Sequence, residues 1–199
     1  MLQNILNLES ESNYSIKGST FKSFAIPISN ILDFRAKHHE LKKKYKDANH
    51  ICYAYRIQLK DRIDEFSSDD GEPKGSSGPP ILNILKKQKL INSAIYVIRY
   101  FGGTKLGISG LISAYGISAQ SSLENSSIIP FILKKEMTIT YQYAIQNKID
   151  YIFKEFKINI LKSEFGIDIK IKFEIEESKA DRLIKKLVNV TNDSIKIII

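Results

Sequence analysis

The chain has 199 residues, a formal net charge of +8, and 43% hydrophobic against 26% charged residues, which reads as globular rather than disordered and suits one domain or two small ones. Its single cysteine, Cys52, excludes an intrachain disulfide or a cysteine-rich metal centre and agrees with a reducing cytoplasm. No apolar run is long enough to cross a bilayer, and the start MLQNILNLES has neither a basic leader nor a long apolar core, so a cytoplasmic protein without membrane partners is expected.

Residues 1–13 read as a frayed or lightly docked terminus. Over Tyr14–Ile28 two short strands are expected around a turn at Gly18 and Ser19. Ser29 and Asn30 can cap a helix whose apolar face is Ile31, Phe34, His38, Leu41 and Tyr45. Ile51, Tyr53, Tyr55, Ile57 and Leu59 alternate, which predicts a half-buried strand with Cys52, Ala54 and Arg56 on its other face. Between Lys60 and Pro79 polar and turn residues dominate. Pro79 and Pro80 suit a helix start, where a missing amide hydrogen costs little. Ala94–Ile98 predicts a strand covered on both faces, and an Ala-, Ser- and Gly-rich helix is expected over 110–125.

Composition changes near Pro130. Beyond it the periodicity alternates between strand and helix. Met137, Ile139, Tyr141 and Tyr143 form a strand pattern, and Ile145, Ile149, Ile152 and Phe156 a helix pattern. Ile158 and Ile160, then Ile167–Ile175, read as strands, Ala180–Leu187 as a helix, and Ile195, Ile197 and Ile199 as a closing strand. That order is βαββαβ, a ferredoxin-like unit. The fold class expected is α+β, with domains over 1–132 and 133–199.

The residues that could carry chemistry crowd into FSSDDGEPKGSSGPPIL and VIRYFGGTKLGISG. Asp69, Asp70 and Glu72 admit three readings: Mg²⁺ ligands, general acid or base groups, or carboxylates that fix the turn by taking amides and an arginine. No sequence pattern calls for another cofactor. Ser76 and Ser77 before a helix start suggest a phosphate pocket built from amides, although the lysine of a P-loop is missing. Arg99 ends an apolar strand and needs a carboxylate or carbonyl partner; Asp69 or Asp70 is the expected one. Tyr100 or Phe101 could stack a base, Lys105 offers charge in an exposed loop, and Gly102, Gly103 and Gly107 give that loop its freedom. His50 could shuttle a proton in the same pocket, whereas Cys52 reads as a buried strand residue rather than a nucleophile.

NHICYAYRI, FSSDDGEPKGSSGPPIL and VIRYFGGTKLGISGLISAYG, in that order, closely resemble the IMPACT/YigZ family. The resemblance implies an N-terminal α/β domain like the second domain of ribosomal protein S5, followed by a ferredoxin-like domain like those of elongation factor G. Eukaryotic relatives regulate translation by competing for a partner of the kinase that phosphorylates initiation factor 2. Carried onto this chain, the family motif places His50, Cys52, Arg56, Asp69, Asp70, Gly71, Glu72, Pro73, Gly75, Gly78, Pro80, Arg99, Tyr100, Gly102, Gly103, Lys105, Leu106, Gly107 and Gly110 in a shared groove or its supports. Ser109 departs from it, standing where many relatives have glycine. The function expected is therefore a non-enzymatic cytoplasmic regulator linked to translation or the stress response. Its partner would be RNA, the ribosome or a translation-associated protein, or a phosphate or nucleotide ligand. The alternative is a phosphate- or nucleotide-directed, metal-assisted hydrolase using the acidic loop.

Overall fold

Gly18, with a positive φ of 79°, lets the chain reverse between strands β2 (Ser10–Ile16) and β3 (Ser19–Pro27), which pair antiparallel. The computed structural model describes residues 3–124, 126–192 and 194–198, and separates into two compact units, Met1–Phe131 and Ile132–Ile199. The stretch expected to be frayed or lightly docked contains a paired strand. Strand β1 (Asn4–Leu6) pairs with the later β7 (Ile128–Pro130), and Leu6 is buried.

Asn30 caps helix α1 (Ile31–Lys44), its side chain accepting from the amides of Leu32 and Asp33. Strand β4 (His50–Gln58) follows. It is covered on both faces, not one, because Cys52, Ala54 and Arg56 are buried along with Ile51, Tyr55 and Ile57. The polar stretch after it contains a strand that periodicity did not reveal, β5 (Ile63–Ser68), an edge strand with little buried surface. Helix α2 (Gly78–Lys87), strand β6 (Ser93–Tyr100) and helix α3 (Gly107–Glu124) complete the unit; Asn125, the expected end of α3, lies outside the described residues.

The five strands run in the order β2-β3-β6-β4-β5, all antiparallel. Helix α1 contributes Phe34 and Leu41 to the core on one face, with Phe24, Ile51, Tyr55, Tyr96 and Ile98. Ile81 and Leu85 of α2 and Leu111, Ala114 and Tyr115 of α3 pack on the other, against Phe21, Cys52, Ile95 and Val97. His38 is a packing residue, its ring stacked 5.9 Å from Phe34 and Tyr96.

The second unit runs β8 (Lys134–Tyr141), one 3₁₀ turn, α4 (Gln146–Phe156), β9 (Asn159–Phe165), β10 (Ile169–Glu176), α5 (Glu177–Thr191) and β11 (Lys196–Ile198). Its antiparallel sheet has the order β11-β8-β10-β9, the ferredoxin-like βαββαβ arrangement. Met137, Ile139, Phe173 and Ile175 face Ile149, Ile152, Phe153, Leu183 and Leu187. Ile199 of the expected closing strand lies outside the described residues.

Candidate functional site

The β4–β6 ladder sets His50 opposite Arg99, and the β3–β6 ladder sets Phe21 opposite the same arginine. The ends of three strands therefore meet where the acidic loop after β5 folds back. That loop turns sharply at Asp70 and Gly71, with φ of 42° and 87°.

The three carboxylates go to three different places. Asp69 accepts from the amides of Gly75 (2.8 Å), Ser77 (3.0 Å) and Gly78 (2.8 Å) and from the Ser77 hydroxyl (2.8 Å). Burial alone would raise its carboxyl, but these donors outweigh it and hold the group below its ordinary value. Asp70 takes the amide of Ile51 at 2.7 Å, tying the loop to the start of β4. Glu72, only 9% exposed, accepts from Arg99 Nη1 at 2.6 Å and from the Tyr115 hydroxyl at 2.8 Å.

Four expectations are corrected by this geometry. Arg99 does pair with the acidic loop, but with Glu72 rather than Asp69 or Asp70. The register of β6 aims its side chain at the side of the sheet covered by α2 and α3, and the turn at Gly71 delivers Glu72 there. The amides expected to make a phosphate pocket are engaged within the chain, those of Ser77 and Gly78 by Asp69 and that of Ser76 by the Pro73 carbonyl, so the anion at the start of α2 belongs to the chain itself. Ser76 is buried, its hydroxyl without a hydrogen-bond partner among the described residues. Asp69, Asp70 and Glu72 do not converge as Mg²⁺ ligands, and no group of three or more His, Cys, Asp or Glu side chains among the described residues could hold a metal ion. His50, expected in the same pocket, is fixed by Nδ1 at 2.8 Å from the Asp70 carbonyl, with Nε2 4.0 Å from Glu72 Oε1, and is not among the residues that line the cleft beside Arg99.

Cys52 is fully buried, and burial pushes its thiol up to about 12 against the opposing effect of Ser77 and Tyr115 hydrogen bonds. It donates to the Asp69 carbonyl at 3.0 Å, and a thiol so held is a packing group. Arg56 also works inside the fold, donating to the Leu90 carbonyl at 2.9 Å and to Glu65 at 3.1 Å.

The glycine loop after β6 has a different job at each position. A Cβ on Gly102 would lie 1.8 Å from the Gly18 carbonyl carbon, so that glycine permits a backbone contact. Gly103 and Gly107 have φ of 85° and 71°, and space beside them is open. Tyr100 points its hydroxyl to Asp47 at 3.1 Å, and Phe101 lies over the Arg99 guanidinium at 5.5 Å. Ser109, in the first turn of α3, is not among the residues with positive φ, so glycine is not required there.

A cleft of about 360 Å³ opens beside this network. Glu72, Pro73, Arg99, Phe101, Lys105, Leu106, Gly107, Ile108 and Leu111 line it. Of the expected ligand residues, Arg99, Lys105 and Gly107 are brought together here; Ser76, Ser77, Tyr100, Gly102 and Gly103 are not. Tyr115 and Ser19 were not anticipated. Ser19 Oγ lies 3.4 Å from Arg99 Nη2 and accepts from the Gly102 amide at 3.2 Å. Tyr115 left a signal, since a tyrosine one turn after Leu111 on the inner stripe of a helix needs a partner for its hydroxyl.

The Impact N-terminal domain family matches residues 17–123, and a second family, described as a domain of unknown function (DUF1949), matches residues 139–194. The chain belongs to the IMPACT family. It is 33% identical to the IMPACT family member YvyE of Bacillus subtilis over 77% of this chain and 70% of that one. It is 24% identical to the IMPACT family member YigZ of Escherichia coli over 92% of this chain and 90% of the relative. A crystal structure of a hypothetical protein shares the fold, with a TM-score of 0.72 and 23% identity over 99% of this chain and 96% of that one. No helix among the described residues is long and apolar enough to cross a membrane.

Proposed function

We propose that this chain is a non-enzymatic cytoplasmic regulator linked to translation or the stress response, acting by docking a segment of a partner protein in the cleft beside Arg99. One observation carries the non-enzymatic reading. The ionisable groups of the acidic loop are engaged inside the fold, Asp69 at the start of α2, Asp70 on β4 and Glu72 on Arg99 and Tyr115. They share no common point at which a reacting group could sit, which argues against the metal-assisted hydrolase.

The cleft suits a segment that combines apolar side chains with an acidic group. Phe101, Leu106, Ile108 and Leu111 give it apolar walls, and Phe101 and Ile108 are exposed. Lys105 supplies positive charge at its rim, where Arg99 at the base is neutralised by Glu72, and the first turn of α3 adds the positive end of a helix dipole. Family membership supports the link to translation, the role that the resemblance assigns to eukaryotic relatives. A protein partner is favoured over RNA because lysines on the open face of the second sheet sit beside glutamates, Lys134 with Glu174 and Lys172 with Glu136, and no aromatic stands among them.

The test compares the full chain with Lys105→Glu and Ile108→Asp in capture from nuclease-treated lysate at low and raised salt, with ribosome co-sedimentation alongside. A protein retained by the native chain and lost with both variants is the expected result. Capture abolished by nuclease, or unchanged in both variants, overturns the cleft as a protein-docking site.

A further inference from the structure

The sheet of the second unit has two edges. One is β11, three residues long; the other is β9, seven residues long and exposed at every position. An edge of that length presents unpaired amides and carbonyls that can accept another strand. Strand β9 has no proline, and its bulge, opposite Lys172 and Phe173, lies toward its N-terminal half. Its apolar side chains also lack cover: Phe165 is 68% exposed and Ile167, just past the strand, 98%. The edge strand β5 differs, because its exposed Phe66 lies against Tyr53 and Tyr55, ring centroids 6.3 and 6.2 Å apart.

The order of charges along β9 names the partner. Lys162 and Glu164 flank Ser163 on the open face of the sheet, with Nζ 2.7 Å from Oε1, and Lys170 approaches the other Glu164 oxygen at 3.8 Å. We propose that β9 pairs antiparallel with β9 of a second copy of this chain, centred on Ser163, to give one continuous eight-stranded sheet. In that register each Lys162 stands opposite the partner's Glu164. Side chains opposite one another in an antiparallel pair share a face, so both salt bridges form on the open side of the sheet. Centring the pair on Lys162 or on Glu164 sets like charges opposite each other. The strand is therefore self-complementary in one register, as a twofold interface requires.

Charge reversal tests this without touching the core, because Lys162 and Glu164 are exposed. Sedimentation velocity of the full chain over its soluble concentration range should show a monomer–dimer equilibrium. Lys162→Glu and Glu164→Lys should each weaken the dimer about tenfold or more, since two symmetry-related attractions become two repulsions. An equimolar mixture of the two variants should form dimers as tight as the native ones, and so should the chain carrying both changes. A native chain that stays monomeric throughout overturns the proposal. So does a dimer indifferent to the single reversals, or one that neither the mixture nor the double reversal restores.

Discussion

The ion pair between Arg99 and Glu72 offers the sharpest test of the site, because its partners are nearly out of water at 5% and 9% exposure. Three variants are needed: Arg99→Met, Glu72→Leu and both together. Removing Arg99 alone leaves a buried carboxylate with Tyr115 as its remaining donor. Removing Glu72 alone leaves a buried guanidinium whose other near contact is Ser19 Oγ at 3.4 Å. Each single change should cost about 3–5 kcal/mol, the usual penalty for stranding a buried charge. The double change strands no charge; its main loss is an acceptor for the Tyr115 hydroxyl, about 1–3 kcal/mol. The two sites should thus couple by about 3 kcal/mol or more in a double-mutant cycle. Urea unfolding followed by circular dichroism measures this, and hydrogen exchange of the β4 and β6 amides assigns the change to the first unit. A double variant as costly as the two singles summed would refute the account, because it would mean that neither charge depends on the other.

The cap on α2 makes a second prediction. Asp69→Ala removes the acceptor for the Ser77 and Gly78 amides, both in buried residues, and should cost about 2–5 kcal/mol in the same unfolding assay. The native carboxyl is held below its ordinary value of 3.8, so its stabilisation is fully present above that pH and disappears as pH falls through the lower folded value. Native stability should drop on acidification below about pH 4 more steeply than that of Asp69→Ala; parallel acid profiles would contradict the cap. A third prediction separates neighbouring glycines. Gly102→Ala must push the Gly18 backbone away from a contact of 1.8 Å and should cost about 3 kcal/mol or more. Gly103→Ala meets nothing within 4 Å and should cost only the roughly 1–2 kcal/mol of a left-handed backbone. Equal midpoint shifts for the two would show that the close approach at Gly18 does not constrain the loop.

What the sequence alone determined was whatever depends on neighbours in the chain. Apolar spacing of three and four marked α1, α4 and α5, alternation marked β4, β8 and β10, and the proline pair marked the start of α2. Local signals also placed the charged loops at the ends of buried strands. Strand β5 escaped because an edge strand with a mostly exposed face carries little apolar alternation, and β1 because its hydrogen-bond partner lies more than a hundred residues away. Tertiary structure decided which carboxylate meets which donor. The register of β4 and β3 against β6 fixes where Arg99 points, and the left-handed turn at Asp70 and Gly71 brings Glu72 there while leaving Asp69 at the start of α2. Residues three apart along a loop have no fixed direction until a turn supplies one. The acidic letters of DDGE therefore announced a site, and only folding assigned one of them to a helix, one to a strand and one to an arginine.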